Sequence, residues 1–354
     1  MSEPSRWMIY GASGFTGSLI AEEAARRGHQ PLLAGRSAAK LAPLAKRLGL
    51  ETAAARLDDP AGLARAVSGV SLVLNCAGPF VFTSLPMLRA CLVGGAHYLD
   101  ITGEIPVFEN IFAYDSSARA KRIALIPGTG FDVVPTDCLA ATVAARIKDP
   151  VELELAFDAL SHMSRGSFVS GVEGFARGGL ERRDGNLTAL PYGQGIMTVR
   201  FPHGPKTVMP IPWGDLATAY RSTHIPNITT SMRVSRGLAS AIQVAGPLAQ
   251  VLLMASPIRA LAKGIGGLTA RGPGKSAQAN GKSYVWARAA DVRGASAEAW
   301  LETVEAYRFT ARSAVRAVER ALAEGPVGAL TPSQAFGPDF VLEIEGTRRF
   351  DELP

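Results

Sequence analysis

Short apolar blocks alternate with longer amphipathic stretches through the first 130 residues. "WMIY" (7–10) is apolar throughout. In the segment after it, Leu19, Ile20, Ala24 and Ala25 recur at helical spacing while Glu22, Glu23, Arg26 and Arg27 fall outward. That is the pattern of a covered strand followed by a helix with one buried face. Gly28 predicts the end of this helix, "PLLAG" a second strand, and Ser37 the cap of a helix "AAKLAPLAKRLG" that stops at Gly49. The order continues with a strand in "TAAARLD", a helix near 60–68, the strand "SLVLNCAG" and the helix "SLPMLRACLVGG". The strand "AHYLDITG", a helix near 107–121 and the strand "RIALIPGTG" complete the series. Strands that alternate with helices predict a parallel, doubly wound α/β sheet, and runs such as "LVLN" and "IALI" suit strands covered on both faces.

Beyond "GFDVVPTDCLAATVAARI", which reads as a helix, the pattern changes. "VELELAFDAL" alternates like a half-exposed strand, and "TVRFPHG", "TVMPIPW", "TTSMRVS", "KSYVWARAADV" and "LETVEAYRFT" also suit strands. Among them lies "GLASAIQVAGPLAQVLLMASPI" (237–258), which has no charged residue. It admits three readings: a membrane-spanning segment, a helix on a membrane surface or along an acyl chain, or a core or dimer helix. Gln243, Gln250, Pro247 and Pro257 weigh against spanning. "ARSAVRAVERALAEG" is an amphipathic helix with a glycine stop. The expected organisation is an α/β dinucleotide-binding domain over 1–137, a mixed α+β domain over 138–310, and a segment 311–354 that returns toward the first domain.

Composition sharpens this picture. With 47% hydrophobic and 19% charged residues, the 354-residue chain is globular. Cys76, Cys91 and Cys138 have no metal-ligand spacing and predict reduced core thiols of a cytoplasmic protein, as does an N-terminus without signal-peptide character. No metal site is expected, since His162, His203 and His224 are scattered. Between residues 200 and 288 there are eleven basic residues and one acid, Asp215. That imbalance favours anionic partners: nucleotide phosphate, coenzyme A, an acidic carrier protein or anionic lipid. Nucleic acid is disfavoured, because no recognition motif or aromatic interleaving accompanies the basic residues.

The chemistry starts at "GASGFTG". A strand, then Gly11, Gly14 and Gly17, then a helix is the order a dinucleotide pyrophosphate requires. The first glycine permits the turn, the second close backbone approach, and the third close helix packing. Ser13, Phe15 and Thr16 complete the turn, and Ser13 and Thr16 add hydroxyl donors. An NAD-specific domain carries an acid at the end of its second strand, whereas this chain has Arg36, with Ser37 and Lys40 just after it. A guanidinium fork there suits the 2′-phosphate of NADP, though Arg36 can equally stack on adenine. Asp58 is expected near the adenine amino group, and Asn75, Ala77, Gly78 and Pro79 on the ribose and nicotinamide side. Thr102 and Gly103 lie on the same strand-end edge.

"GASGFTG", "LLAGRS", "VLNCAGPF", "HYLDITGE", "PGTGFDVVPTD" and "LTPSQAFGPDFVLEIEG" together resemble the saccharopine dehydrogenase-like oxidoreductases, in the branch that includes the trans-acting enoyl reductases. "RGPGKSAQANGKSYVWARAADVRG" matches more faintly. The resemblance implies a Rossmann domain with bound NADP(H), an α+β domain for substrate and homodimer contacts, and reductase activity. No tyrosine has a lysine four residues on, which disfavours an ordinary short-chain ketoreductase. Candidate catalytic residues are Tyr98 and Asp100, on alternate positions of one strand, and Ser164 and Ser167, just before a helix carrying Glu173. Asp100 equally suits capping of the Thr-Gly loop, and Asp132 and Asp137 suit helix caps. The expected reaction is NADPH-dependent reduction of an activated C=C on an acyl thioester or enone, with the acyl group on coenzyme A or a carrier protein. Imine reduction of the saccharopine type, using Arg165, Arg177 and Arg221 for substrate carboxylates, is the enzymatic alternative. An NADP-bound, membrane-associated adaptor is the non-enzymatic one.

Overall fold

A computed structural model describes residues 6–159, 178–254, 260 and 280–353. The chain divides into two units: the first ends at Val134 and takes in Tyr307–Ile344, and the second is Pro135–Ala306 with the residues from Glu345 onward.

The first unit is built on a parallel sheet of β1 (Trp7–Tyr10), β2 (Leu32–Gly35), β3 (Thr52–Ala54), β4 (Leu72–Asn75), β5 (His97–Asp100), β6 (Ala124–Ile126) and β15 (Gly328–Ala329). Their order is β3-β2-β1-β4-β5-β6-β15, the doubly wound arrangement in which the strand order reverses beside β1. Every residue of β1, β2, β4 and β6 is buried, which accounts for their unbroken apolar runs. Helices α1 (Phe15–Arg26), α2 (Ala38–Leu48), α3 (Pro60–Val67), α4 (Phe80–Gly94), α5 (Ile105–Phe112) and α6 (Asp115–Lys121) make the crossovers. Their ends follow local chemistry. Ser37 caps α2 and Gly49 closes it in the left-handed conformation; Asp59 caps α3 ahead of Pro60; Gly95 closes α4 at φ 70°.

Three expectations need correction here. The single helix near 107–121 is two, α5 and α6, broken at Ala113–Tyr114. Asp115 opens the second of them, and its carboxylate accepts the Ala329 N–H (2.8 Å) and pairs with Arg119 (2.8 Å), which anchors the break to β15. The strand in "TAAARLD" is only the three residues of β3. The C-terminal segment is divided rather than returning whole. Helix α10 (Ala306–Glu324) from Tyr307 onward, β15 and α11 (Pro332–Phe336) belong to the first unit. β16 (Arg348–Phe350) instead pairs in the second unit, Phe350 opposite Trp300, because Phe350 and Leu353 pack against Trp286 and Trp300 there.

In the second unit α7 (Val134–Ala144), which begins on the last residue of the first, leads to β7 (Glu152–Ala159), the centre of a mixed sheet. Its path is β10-β11-β12-β7-β13-β14-β16. The strands are β10 (Met197–Phe201), β11 (Gly204–Pro210), β12 (Asn227–Arg233), β13 (Lys282–Ala290) and β14 (Ser296–Val304), with α8 (Asp215–Thr223) and α9 (Arg236–Met254) between them. Each overlaps a segment expected to be a strand, but β11 and β12 begin ahead of theirs, at Gly204 and Asn227, and β14 runs from Ser296 to Val304, so that only "LETV" of its expected segment is strand and "AYRFT" opens α10. The hairpin β8 (Gly179–Arg183) and β9 (Asn186–Leu190) was not anticipated. Asp184 and Gly185 turn it at positive φ (49° and 78°), a turn their residue types favour. The periodicity gives no hint of β9, because four of its five residues are exposed.

Candidate dinucleotide site

The glycine turn meets the steric demands expected of it. Gly11 has φ 85°, and a Cβ there would lie 2.8 Å from the Ala77 amide nitrogen. A Cβ on Gly17 would overlap the Gly11 carbonyl oxygen, so α1 could not pack as closely on the turn. Gly14 caps α1 in extended conformation without a side-chain bond. Ser18 is the first residue whose N–H is returned to the cap, to the Gly14 carbonyl (2.9 Å). The amides of Phe15, Thr16 and Gly17 have no partner within the helix and point along its axis, as anion binding requires. Ser13 and Gly14 are exposed, and the Phe15 ring meets Tyr307 of α10 edge-on at 5.1 Å between centroids.

At the end of β2, Arg36 and Lys40 are exposed, and their side chains form no hydrogen bond or ion pair among the described residues. Ser37 is engaged as the α2 cap, its Oγ accepting the Lys40 N–H (3.4 Å). Asp58 is committed elsewhere: Arg56 binds both its oxygens (2.9 and 2.6 Å). That pairing, with Arg36 nearby, holds its carboxyl below the usual range. An adenine amino group would therefore share Asp58 with Arg56. Tyr10 beneath is buried, donates its hydroxyl to the Ala55 carbonyl (3.0 Å), and has its acidity lowered by burial.

The strand ends β4, β5 and β6 are tied together by one buried network. Asn75 Oδ1 accepts the Ala77 N–H (3.1 Å), and its Nδ2 donates to the Tyr98 and Thr83 hydroxyls (3.4 Å each). Thr83 donates to the Ala77 carbonyl (2.5 Å). Tyr98 donates to Asp100 Oδ2 (2.7 Å), while Asp100 Oδ1 accepts the amides of Thr102 (3.0 Å) and Gly128 (2.9 Å). The backbone oxygen of Asp100 accepts the Thr129 N–H and hydroxyl (2.7 and 2.8 Å). Burial pushes the Asp100 carboxyl up to about 6 and raises the Tyr98 phenol. Both residues are 0% exposed. The alternation that put them on one face turned that face inward, so Tyr98 and Asp100 act by positioning the loops at 75–80, 101–104 and 127–131.

Three features of this edge carry no local sequence mark. Glu104 accepts the first amides of α4, Phe80 N–H (2.9 Å) and Val81 N–H (3.0 Å), and so fixes the Ala77–Pro79 loop against the Thr102–Gly103 loop. Helix α10 braces the third loop: Thr310 accepts the Phe131 N–H (3.0 Å) and Ser313 donates to the Thr129 carbonyl (2.9 Å). Asp132 packs so close to Gly103 that a Cβ there would lie 3.1 Å from its Oδ2. Burial pushes the Asp132 carboxyl up to about 6. In the second unit Asp137 lies in the first turn of α7 and accepts the Ser222 hydroxyl (2.6 Å). Ser164, Ser167, Arg165, Glu173, Arg177 and His162 lie outside the described residues. Among the described residues no group of three or more His, Cys, Asp or Glu is placed to hold a metal ion.

The strand order, the glycine turn and the cationic end of β2 define a dinucleotide-binding domain suited to NADP. More particularly, residues 7–126 match the family model of the saccharopine dehydrogenase NADP-binding domain. Human saccharopine dehydrogenase-like oxidoreductase is 34% identical over 154 residues, 38% of this chain and 36% of that protein. The trans-acting enoyl reductase of Mycobacterium tuberculosis is 34% identical over 138 residues, 37% of this chain and 33% of that protein. The chain thus matches about a third of the length of these curated relatives. Apo saccharopine dehydrogenase (L-Glu forming) from Saccharomyces cerevisiae has the same fold over 98% of this chain and 100% of its own, with TM-score 0.68 and 12% identity.

Proposed function

We propose that the protein is an NADPH-dependent reductase of an activated carbon–carbon double bond, in an enoyl thioester or an enone. The observation that carries this reading is the strand-end edge itself. It combines a cationic cofactor subsite at Arg36 and Lys40 with an apolar wall at the start of α4, where Val81 is 36% and Phe82 73% exposed. A wall of this kind suits an acyl or aromatic substrate better than a charged amino acid. The relation to a trans-acting enoyl reductase supports the same reading.

Gly11, Gly14, the first amides of α1, Arg36 and Lys40 would hold the cofactor, which supplies the hydride when bound. The chain's remaining tasks are orientation and proton supply. Asn75, Tyr98, Asp100 and Glu104 fix the loops that face the reacting groups. Asp132 is the part-exposed carboxyl on that edge, and its value of about 6 suits giving up a proton near neutrality.

The test follows NADPH oxidation by the purified chain with an enoyl-coenzyme A thioester and, separately, with an amino acid plus an oxo acid. Turnover with the thioester supports the proposal. Turnover with the second mixture alone replaces it with saccharopine-type imine reduction. Tight NADPH binding without turnover of either leaves the adaptor reading.

A further inference from the structure

We propose that Glu104 makes the strand-end edge selective for uncharged acyl and carbonyl groups, and that it turns away substrates with a free carboxylate beside the double bond. This rests on the reductase reading above and narrows its substrate class. Glu104 stands between two helices. It is the N-cap of α5, yet its side chain makes no capping bond there. Thr102 Oγ1 accepts its backbone N–H (3.1 Å), and the carboxylate reaches back to α4. There Oε1 accepts the Phe80 N–H (2.9 Å) and Oε2 the Val81 N–H (3.0 Å).

Helix α4 has no side-chain cap of its own. Pro79 holds the N-cap position, and the first turn contains no acid. The first amides of such a 15-residue helix form a positive pole that draws an anionic group. Glu104 occupies that pole with both carboxylate oxygens. Beside it are Val81, whose own amide is one of the two, and Phe82, 36% and 73% exposed. A substrate on that apolar wall meets the Glu104 carboxylate rather than open N–H donors.

The charge on the rest of the edge points the same way. The loops 75–82, 101–104 and 127–133 contain no lysine, arginine or histidine, and two acids, Glu104 and Asp132. A carboxylate placed against them would lose water with no cation among these loops to replace it, and with Glu104 nearby. An ester, thioester or ketone carries no charge to desolvate.

The measurement is kcat/KM for NADPH-dependent reduction of a γ-oxo enoic acid and of its methyl ester, which share the double bond and the ketone. Wild type should prefer the ester. Glu104→Gln removes the charge and turns an NH₂ toward one of the two amides. Its ester preference should be about tenfold lower than that of wild type, whatever activity both compounds lose together. Comparing preferences between variants cancels the intrinsic difference in reactivity of the two compounds. Glu104→Asp keeps the charge on a shorter side chain and should keep the preference while losing activity. A purely structural role would leave the preference in place in both variants. Should Glu104→Gln not fold, as judged by circular dichroism and NADPH titration, Glu104→Ala is measured with and without acetate. The ion should refill the two amides, raise the melting temperature and restore the ester preference. Turnover in which wild type prefers the free acid, or in which removal of the Glu104 charge leaves the preference unchanged, overturns this proposal alone. Turnover of neither compound removes the reductase reading and this proposal with it.

Discussion

Replacement of Asp100 by asparagine tests both the buried network and its charge. The carboxyl is fully buried, and burial moves it from 3.8 to about 6. At ~1.4 kcal/mol per unit the difference is about 3 kcal/mol. Its sign follows from linkage. The folded chain holds this proton more tightly than the unfolded chain does, so stability is greatest below about 4, falls as pH rises through about 6, and is flat beyond. About 2 kcal/mol of the loss falls between roughly pH 4.5 and 7.5. Asparagine cannot ionise. Its oxygen keeps the Thr102 and Gly128 amides, but its NH₂ replaces the oxygen that accepts the Tyr98 hydroxyl. Tyr98 already receives Asn75 Nδ2, so its own proton loses its acceptor, at a cost of about 1–3 kcal/mol.

Asp100→Asn is therefore expected to be less stable than wild type at low pH and to recover about 2 kcal/mol against it by neutral pH. The measurement is hydrogen exchange by mass spectrometry in peptides covering 97–104 and 124–131, corrected for intrinsic rates, at several pH values in that window. Asp132, also raised to about 6, is present in both proteins, so the difference isolates Asp100. A stability difference that is the same at every pH would refute the assignment of a buried, titrating carboxyl at the centre of the three loops.

Arg36→Ala removes the guanidinium from the cationic end of β2, and the affinity ratio for NADPH over NADH should fall about 10- to 100-fold; an unchanged ratio by fluorescence titration contradicts the role given to Arg36. Gly17→Ala drives a methyl into the Gly11 carbonyl, so α1 must shift at a cost of about 1–3 kcal/mol. NADPH affinity and melting temperature should both drop, and a variant that binds like wild type would show that the turn tolerates the methyl. If Asp132 supplies the proton, kcat/KM falls as pH rises through about 6, and Asp132→Asn is slow with that limb absent. A limb that persists in the variant assigns the proton to another group.

What was legible in the sequence follows from how far apart the cooperating residues lie. Gly11, Gly14 and Gly17 answer to backbone contacts formed mostly within the turn. The caps Ser37 and Asp59 answer to amides three residues on. Such demands leave a local mark, and β1 to α4 could be read from it. Glu104 with Phe80 and Val81, or Thr310 with Phe131, join residues 24, 23 and 179 positions apart. Nothing near Glu104 in the chain shows that its carboxylate ends on a helix start. Tyr98 and Asp100 are the intermediate case. Alternation put them on one face, but whether that face meets solvent depends on what packs over β5, and that is set by the rest of the unit.

This separates residues the fold uses from residues it leaves over. Tyr98 and Asp100 have the chemistry of a catalytic pair, yet hydrogen bonds to loops and to each other account for their chemistry. Asp58, chemically suited to adenine, is held by Arg56. Arg36 and Phe82 are the opposite case. The guanidinium makes no ion pair among the described residues, and the ring is 73% exposed at the start of a helix. Folding requires neither an arginine nor a phenylalanine at those positions. An exposed large apolar side chain costs solubility, and an exposed guanidinium at the end of β2 has only a long-range attraction to the already paired Asp58. Their identity is therefore better explained by a ligand than by the protein. Both stand on the carboxyl edge of the sheet, where Arg36 suits the 2′-phosphate of the cofactor and Phe82 suits an apolar substrate.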